Sequence, residues 1–246
     1  MNFKKPLILI SNDDGYRSNG IRTLVSFLTD FADVVVCAPE SGRSGFSCAF
    51  SVVDYLLIKR QHNIPDCEVW SCTGTPVDCV KIALDQIGIN HGDNSSVNNH
   101  YSGTMGIAYE GCMKYIPSIA FSSCDYNPEA DLSHLRDYVR IIVKKVLAEG
   151  LPKGVCLNVN FPKTEHFAGI KVCRMGFGSW TREVECCKHP RGFNYYWMTG
   201  HYRNDEPSAT DNDQWALEHG YVAVTPSKID VTDYDMLNKM KDWESL

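Results

Sequence analysis

Two short runs that are apolar without a break, Leu7-Ile8-Leu9-Ile10 and Val34-Val35-Val36-Cys37-Ala38, flank one segment of helical period, and that pattern leaves few folds open. A strand with no polar alternation is buried on both faces, as in parallel sheets covered by helices. Between the runs, residues 21–31 set Ile21, Leu24, Val25, Leu28 and Phe31 at helical spacing behind Gly20. Residues 6–10, this helix and Asp33–Pro39 with its proline stop therefore predict a βαβ unit with a right-handed crossover, the opening of a doubly wound sheet.

The rhythm continues. Residues 46–60 are β-rich, and Thr75-Pro76 is expected to cap a helix over 77–86. A long polar loop should run from Gly88 to Thr104, followed by a helix over about 105–115 and a strand at 116–122. Residues 129–149 read as an amphipathic helix with Gly150 at its C-cap, and 155–160 as another strand. Beyond residue 165 the chain turns to short strands, aromatic clusters such as Tyr195-Tyr196-Trp197 and an acidic stretch from Asn204 to Asp213. The expected organisation is a catalytic core at 1–165 and a β-rich extension at 166–246 that completes the same domain and serves oligomer contacts or a substrate lid.

The net charge of −6 offers no basic footprint for duplex nucleic acid, so any phosphate-bearing ligand should be small. The first residues are too short an apolar stretch for a signal peptide and no run could span a bilayer, which points to the cytoplasm. Eleven scattered cysteines with no Cys-x-x-Cys pair suit reduced thiols, and Cys37, Cys79, Cys112, Cys156 and Cys173 read as small core side chains.

Directly after the first strand stands Ser11-Asn12-Asp13-Asp14-Gly15. Ligands of open α/β sheets bind beyond the carboxyl ends of the strands, and paired carboxylates there suit a hard cation such as Mg²⁺ or Mn²⁺. The same residues are also ordinary turn chemistry, since Asp caps helices and Gly accepts positive φ. Both carboxylates can reach one ion only if the backbone turns, which Gly15 permits. Loops 11–20, 40–45 and 88–104 should share this rim. Asp78 near a helix start reads as structural, and Asn12 as a residue that fixes the turn or contacts phosphate.

The set Ser11-Asn12-Asp13-Asp14-Gly15, Ala38-Pro39 with Arg43-Ser44-Gly45, Gly74-Thr75-Pro76-Val77-Asp78, Gly88-Ile89-Asn90-His91-Gly92-Asp93-Asn94, Tyr101-Ser102-Gly103-Thr104 and Gly220-Tyr221-Val222-Ala223-Val224-Thr225-Pro226 resembles the SurE (survival protein E) 5′/3′-nucleotidases, in that family's order and over nearly the whole chain. The resemblance implies a Rossmann-like, mostly parallel α/β sheet with helices on both faces, and one divalent cation per subunit held by Asp13, Asp14, Ser44 and Asn90. It also implies phosphate contacts from Asn12, Asn94, Ser102, Gly103 and Thr104, with Asp13 and Asp14 as the catalytic pair. Nucleoside monophosphates would be the substrates, with 3′-nucleotidase and exopolyphosphatase activity alongside, in a homodimer or homotetramer.

In one place the chain departs from that pattern. Between the helix at 77–86 and Gly88 the family has a turn and a strand, and here about ten residues are missing, the length of those two elements. Losing a central strand is costly, which favours a segment absent from the written sequence over a true deletion. Two other functions stay open: a nucleotide-binding module without turnover, and a haloacid-dehalogenase-type phosphatase. The latter needs Asp-x-Asp, whereas Asp13 and Asp14 have no spacer.

Overall fold

The structure, a computed structural model, describes residues 5–51, 55–87, 93–95, 103–125, 127–182, 184–198 and 200–245. In chain order the elements are β1 (Leu7–Ile10), α1 (Asn19–Leu28), β2 (Asp33–Pro39), β3 (Ile58–Gln61), β4 (Glu68–Cys72), α2 (Pro76–Gln86), β5 (Asp93–Ser95), α3 (Gly103–Met113) and β6 (Ser118–Ser123). Then follow α4 (Arg136–Glu149), β7 (Val155–Phe161), β8 (Gly169–Val172), β9 (Gly178–Thr181), β10 (Val184–Lys188), β11 (Asn194–Met198), β12 (His201–Asn204), α5 (Asp213–Glu218), β13 (Tyr221–Lys228) and α6 (Tyr234–Lys239).

A nine-stranded sheet in the order β3-β4-β2-β1-β5-β6-β7-β13-β8 forms the centre. β4, β2, β1, β5, β6 and β7 are mutually parallel, β3 is an antiparallel edge, and β13 runs antiparallel to β7. The expected α/β sheet with helices on both faces is what the chain forms. On one face Ile8, Ile10, Val36, Ile119, Val159 and Val224 meet α1 through Val25 and Leu28, and α4 through Val139 and Val143. On the other, Leu9, Val35 and Cys37 meet α2, Ala120 and Cys156 meet α3, and Ala223 meets Ala216 of α5. The apolar runs are continuous because both alternating sets of side chains are covered.

Several boundaries differ from the sequence expectation, each for a local reason. α1 starts at Asn19 because the Ser18 hydroxyl accepts from Ile21 N, and Gly103 is already helical in α3. The helix expected from 129 begins as a 3-10 turn at Ser133–Leu135, where the Asp131 carboxylate takes the Ser133 N–H at 2.8 Å, and continues as α4 from Arg136. Among the described residues of the stretch 46–60, strand is found at Ile58–Gln61 alone. Residues 46–51 instead lie as a strap whose polar groups bond to the α2 N-terminus, with the Thr75 hydroxyl donating to Ala49 O at 2.7 Å and Ser51 N donating to Asp78 at 3.0 Å.

The largest departure is in the expected loop 88–104, which contains β5. Residues 93–95 fill the sheet position between β1 and β6, with Asn94 opposite both Leu9 and Ser118. A gap there would leave two rows of backbone polar groups unpaired, so the shortened chain supplies a three-residue strand. The 166–246 segment contributes β8 and β13 to the central sheet, and β9 to β12 form two separate two-stranded pairs. Among the described residues no helix is long and apolar enough to cross a membrane.

Candidate metal and phosphate site

β1 ends at Ile10, and the next five residues turn back on themselves. Asn12 Oδ1 accepts from Gly15 N at 3.1 Å, Asn12 Nδ2 donates to Ser18 Oγ at 2.8 Å, and Ser18 in turn caps α1. The Asn12 amide is thus engaged in the turn through both its oxygen and its nitrogen, as expected of a residue that fixes the turn. Gly15 has φ +98, in the left-handed region that favours glycine, and a Cβ there would stand 3.3 Å from Pro39 O. This turn is what lets Asp13 and Asp14 leave the strand's alternation.

Backbone bonds lock three rim segments together. Tyr16 N donates to Pro39 O at 2.9 Å, Arg43 N to Asp13 O at 2.6 Å, and Glu40 N to Cys72 O at 2.8 Å. The Arg43 guanidinium reaches the third segment, donating from Nη2 to Thr73 O at 3.0 Å. Ser44 follows Arg43 as an exposed residue of this loop.

The α3 N-terminus closes on the first carboxylate. Thr104 Oγ1 donates to Asp13 Oδ1 at 2.5 Å, and a Cβ on Gly103 would lie 2.9 Å from Asp13 Cβ and 3.0 Å from Pro76 Cγ. Only glycine lets the helix start this close. The exposed backbone N–H groups and dipole of a helix start favour an anion. Burial and then the neighbouring Asp13 charge raise the Asp14 carboxyl above its usual range. Among the described residues no lysine or arginine bridges either carboxylate. Two adjacent carboxylates with no cation partner are the oxygen donors a hard divalent ion needs, so the residues fit Mg²⁺ or Mn²⁺. No group of three or more His, Cys, Asp or Glu side chains forms a metal site among the described residues, so hydroxyls, amides or water would complete the shell.

Of the remaining candidates, Asn90 and Ser102 lie outside the described residues. Asn94 does not stand in a rim loop: its register opposite Leu9 sets its backbone four residues short of Asp13 along β1. That position follows from the use of 93–95 as a strand.

Asp78 is structural, and more so than its helix-start position suggested. It forms a capping box with Thr75 and also takes both the N–H and the hydroxyl of Ser51. Burial alone would raise its carboxyl, but the Thr75 and Ser51 donors outweigh it and hold the group below the usual range. Arg43, which stands beside the candidate ligand Ser44 in the sequence, is the residue that ties this loop to the backbone of both Asp13 and Thr73.

The sequence model described as Survival protein SurE matches residues 8–182. A protein of Phocaeicola vulgatus named 5′-nucleotidase SurE is 49% identical over 256 residues, covering 99% of this chain and 98% of that one. One of Bacteroides fragilis with the same name is 46% identical over 257 residues, covering 99% and 100%. These alignments are longer than the 246-residue chain, so at least ten of their positions fall opposite gaps in it, matching in size the missing turn and strand. The crystal structure of the SurE protein from Aquifex aeolicus superposes with a TM-score of 0.80 at 34% identity, covering 97% of this chain and 100% of that one. With matches over nearly its full length, the chain belongs to the SurE family.

Proposed function

We infer that the protein is a metal-dependent phosphatase that hydrolyses nucleoside monophosphates to nucleoside and phosphate. The observation that carries this is the meeting of Asp13, the chain neighbour of Asp14, with the α3 N-terminus at the rim. The relatives named 5′-nucleotidase support the substrate class.

Asp13 and Asp14 would hold the divalent cation, with Ser44 and Asn90 from their separate loops. When bound, such an ion neutralises phosphate charge and acidifies water. The chain's own groups do the rest. Thr104 orients the Asp13 carboxylate, and the N–H groups of the first α3 turn bind the non-bridging phosphoryl oxygens. Water attacks phosphorus, a new P–O bond forms, the ester P–O bond breaks, and a proton ends on the departing nucleoside oxygen. Activity toward 3′-nucleotides and polyphosphate belongs to the same proposal, since both present a terminal phosphoryl group to this rim.

Phosphate release from 5′-AMP, 3′-AMP and polyphosphate with Mn²⁺ tests it, against Asp14→Ala. Release by wild type and its loss in the variant is the expected result. Nucleotide binding without phosphate release by wild type would favour the second reading, a binding module, which the displaced Asn94 motivates.

A further inference from the structure

β7 is where the two-sided apolar pattern breaks. Val159 and Phe161 face the core under α1 and α4, whereas Cys156, Asn158 and Asn160 alternate to the other face, where Cys156 packs against Met105, Ala108 and Cys112 of α3. Asn158 is 3% exposed and Asn160 7%. Their neighbours on that face are small: Ala120 and Thr225 flank Asn158, while Ser122 and Ala223 flank Asn160. Ala223 packs on Ala216 of α5, so the two asparagines occupy the strip of sheet between α3 and α5.

Asn160 Nδ2 donates to Asn158 Oδ1 at 3.0 Å, which among the described residues is the one side-chain hydrogen bond of either amide. That bond fixes which way the Asn160 amide points. The fully enclosed side-chain atoms without a partner are, among the described residues, Ser11 Oγ, Arg43 Nε, Trp70 Nε1 and Asn212 Nδ2. Asn160 Oδ1 and Asn158 Nδ2 are not among them, so these unbonded atoms keep an opening. Nearly buried amides with spare hydrogen-bonding capacity are costly unless something pairs with them.

The register places them. Ile10, Ser95, Ile119 and Leu157 stand in one row across β1, β5, β6 and β7. Beyond that row, Asp13 lies in the turn that follows the carboxyl end of β1 and Asn160 near the carboxyl end of β7, on the same rim of the parallel sheet. With neighbouring strands ~4.8 Å apart, three steps separate β1 from β7 by roughly 14 Å along the rim. The α3 N-terminus lies against the Asp13 end of this rim, and α3 also packs on Cys156 of β7, the strand that carries Asn160.

We propose that Asn160, positioned by Asn158, binds the hydroxyl groups of the nucleoside whose phosphate is held at Asp13 and the start of α3. The assignment rests on the phosphatase reading above. A neutral amide offers a donor and an acceptor to a sugar diol and adds no charge to an acidic rim.

The test compares AMP with p-nitrophenyl phosphate, which has neither ribose nor base, in wild type, Asn160→Ala and Asn160→Ser, with thermal melting to follow folding. In Asn160→Ala, kcat/KM for AMP should fall about tenfold through KM, the effect of one lost hydrogen bond, while p-nitrophenyl phosphate hydrolysis stays at the wild-type level. Asn160→Ser, which puts a hydroxyl donor and acceptor in place of the amide, should recover part of the loss and serves as the test variant if the alanine protein does not fold. Equal losses on both substrates, or no loss on either, overturn the proposal. Titration of AMP and of inorganic phosphate with Mn²⁺ separates the two claims. A wild type that turns over neither substrate, yet binds AMP more tightly than Asn160→Ala and phosphate equally well, sinks the phosphatase reading and upholds the subsite.

Discussion

Thr104 and Asp13 are joined by a 2.5 Å hydrogen bond across 91 positions of sequence, from the first turn of α3 to the end of β1. The bond restrains the Asp13 carboxylate through Oδ1 and would leave Oδ2 for the cation proposed above. Thr104→Val keeps the shape and removes the donor. Steady-state kinetics with AMP and Mn²⁺ should show kcat/KM lower by about ten- to a hundredfold, since a hydrogen bond to a charged group contributes about 1.5–3 kcal/mol. Thr104→Ser should restore it. A valine protein as active as wild type would show that Asp13 needs no such support.

Gly103 makes the stronger demand. A methyl group there meets Asp13 Cβ at 2.9 Å and the Pro76 ring at 3.0 Å. Gly103→Ala should push α3 away from the rim, cost about 1–3 kcal/mol of stability, and abolish most phosphate release. Denaturant melts beside activity assays check both parts, and unchanged values for either would contradict the close approach.

Asp13 and Asp14 repel each other across the turn, and burial adds to the cost of charging Asp14. With no metal added, Asp14→Asn should therefore melt at or above the wild-type temperature. Titration with Mn²⁺ should then reverse the order, because the ion stabilises only the protein that binds it. Equal Mn²⁺-induced shifts in both proteins would remove Asp14 from the metal site.

The arm formed by β9 to β12 is fastened at its base by Arg174, which grips both Glu206 oxygens at 2.8 Å and Asp211 at 2.9 Å. Arg174, and then the Phe177 N–H, hold the Glu206 carboxyl down at about 2, against an ordinary value of 4.5. A folded value below the unfolded one contributes stability that is present above the unfolded value and is lost as pH falls through the folded one. The arm should loosen between about pH 4.5 and 2, read as rising pepsin cleavage within 176–206. Glu206→Gln should expose the same segment to trypsin at neutral pH.

Trp180, Phe193 and Tyr196 on the arm and Tyr234, Leu237 and Trp243 along the tail are exposed apolar side chains, and we propose that they meet a second copy of this chain. α6 has no buried residue. Light scattering should give a dimer or tetramer for the full chain, and a smaller species when residues 229–246 are removed. A monomeric full chain would refute this arrangement.

What the sequence determined by itself follows from short-range physics. Leu7–Ile10 and Val34–Ala38 are apolar on both alternating sets, so their strands had to be covered twice, and Thr75-Pro76 with Asp78 writes a helix start in four residues. Asn12 and Gly15 likewise announce a turn that depends on nothing remote. Tertiary structure alone decided what lies across that turn. Nothing local links Thr104 to Asp13, commits Asp78 to the strap at Ser51, or brings Asn160 to the same rim as Asp13, three strands away. It also decided that residues 93–95 leave the expected rim loop for the sheet, because unpaired backbone between β1 and β6 costs more than a shortened loop. Those outcomes depend on strand register and on the spacing between helices, which the one-dimensional pattern does not contain.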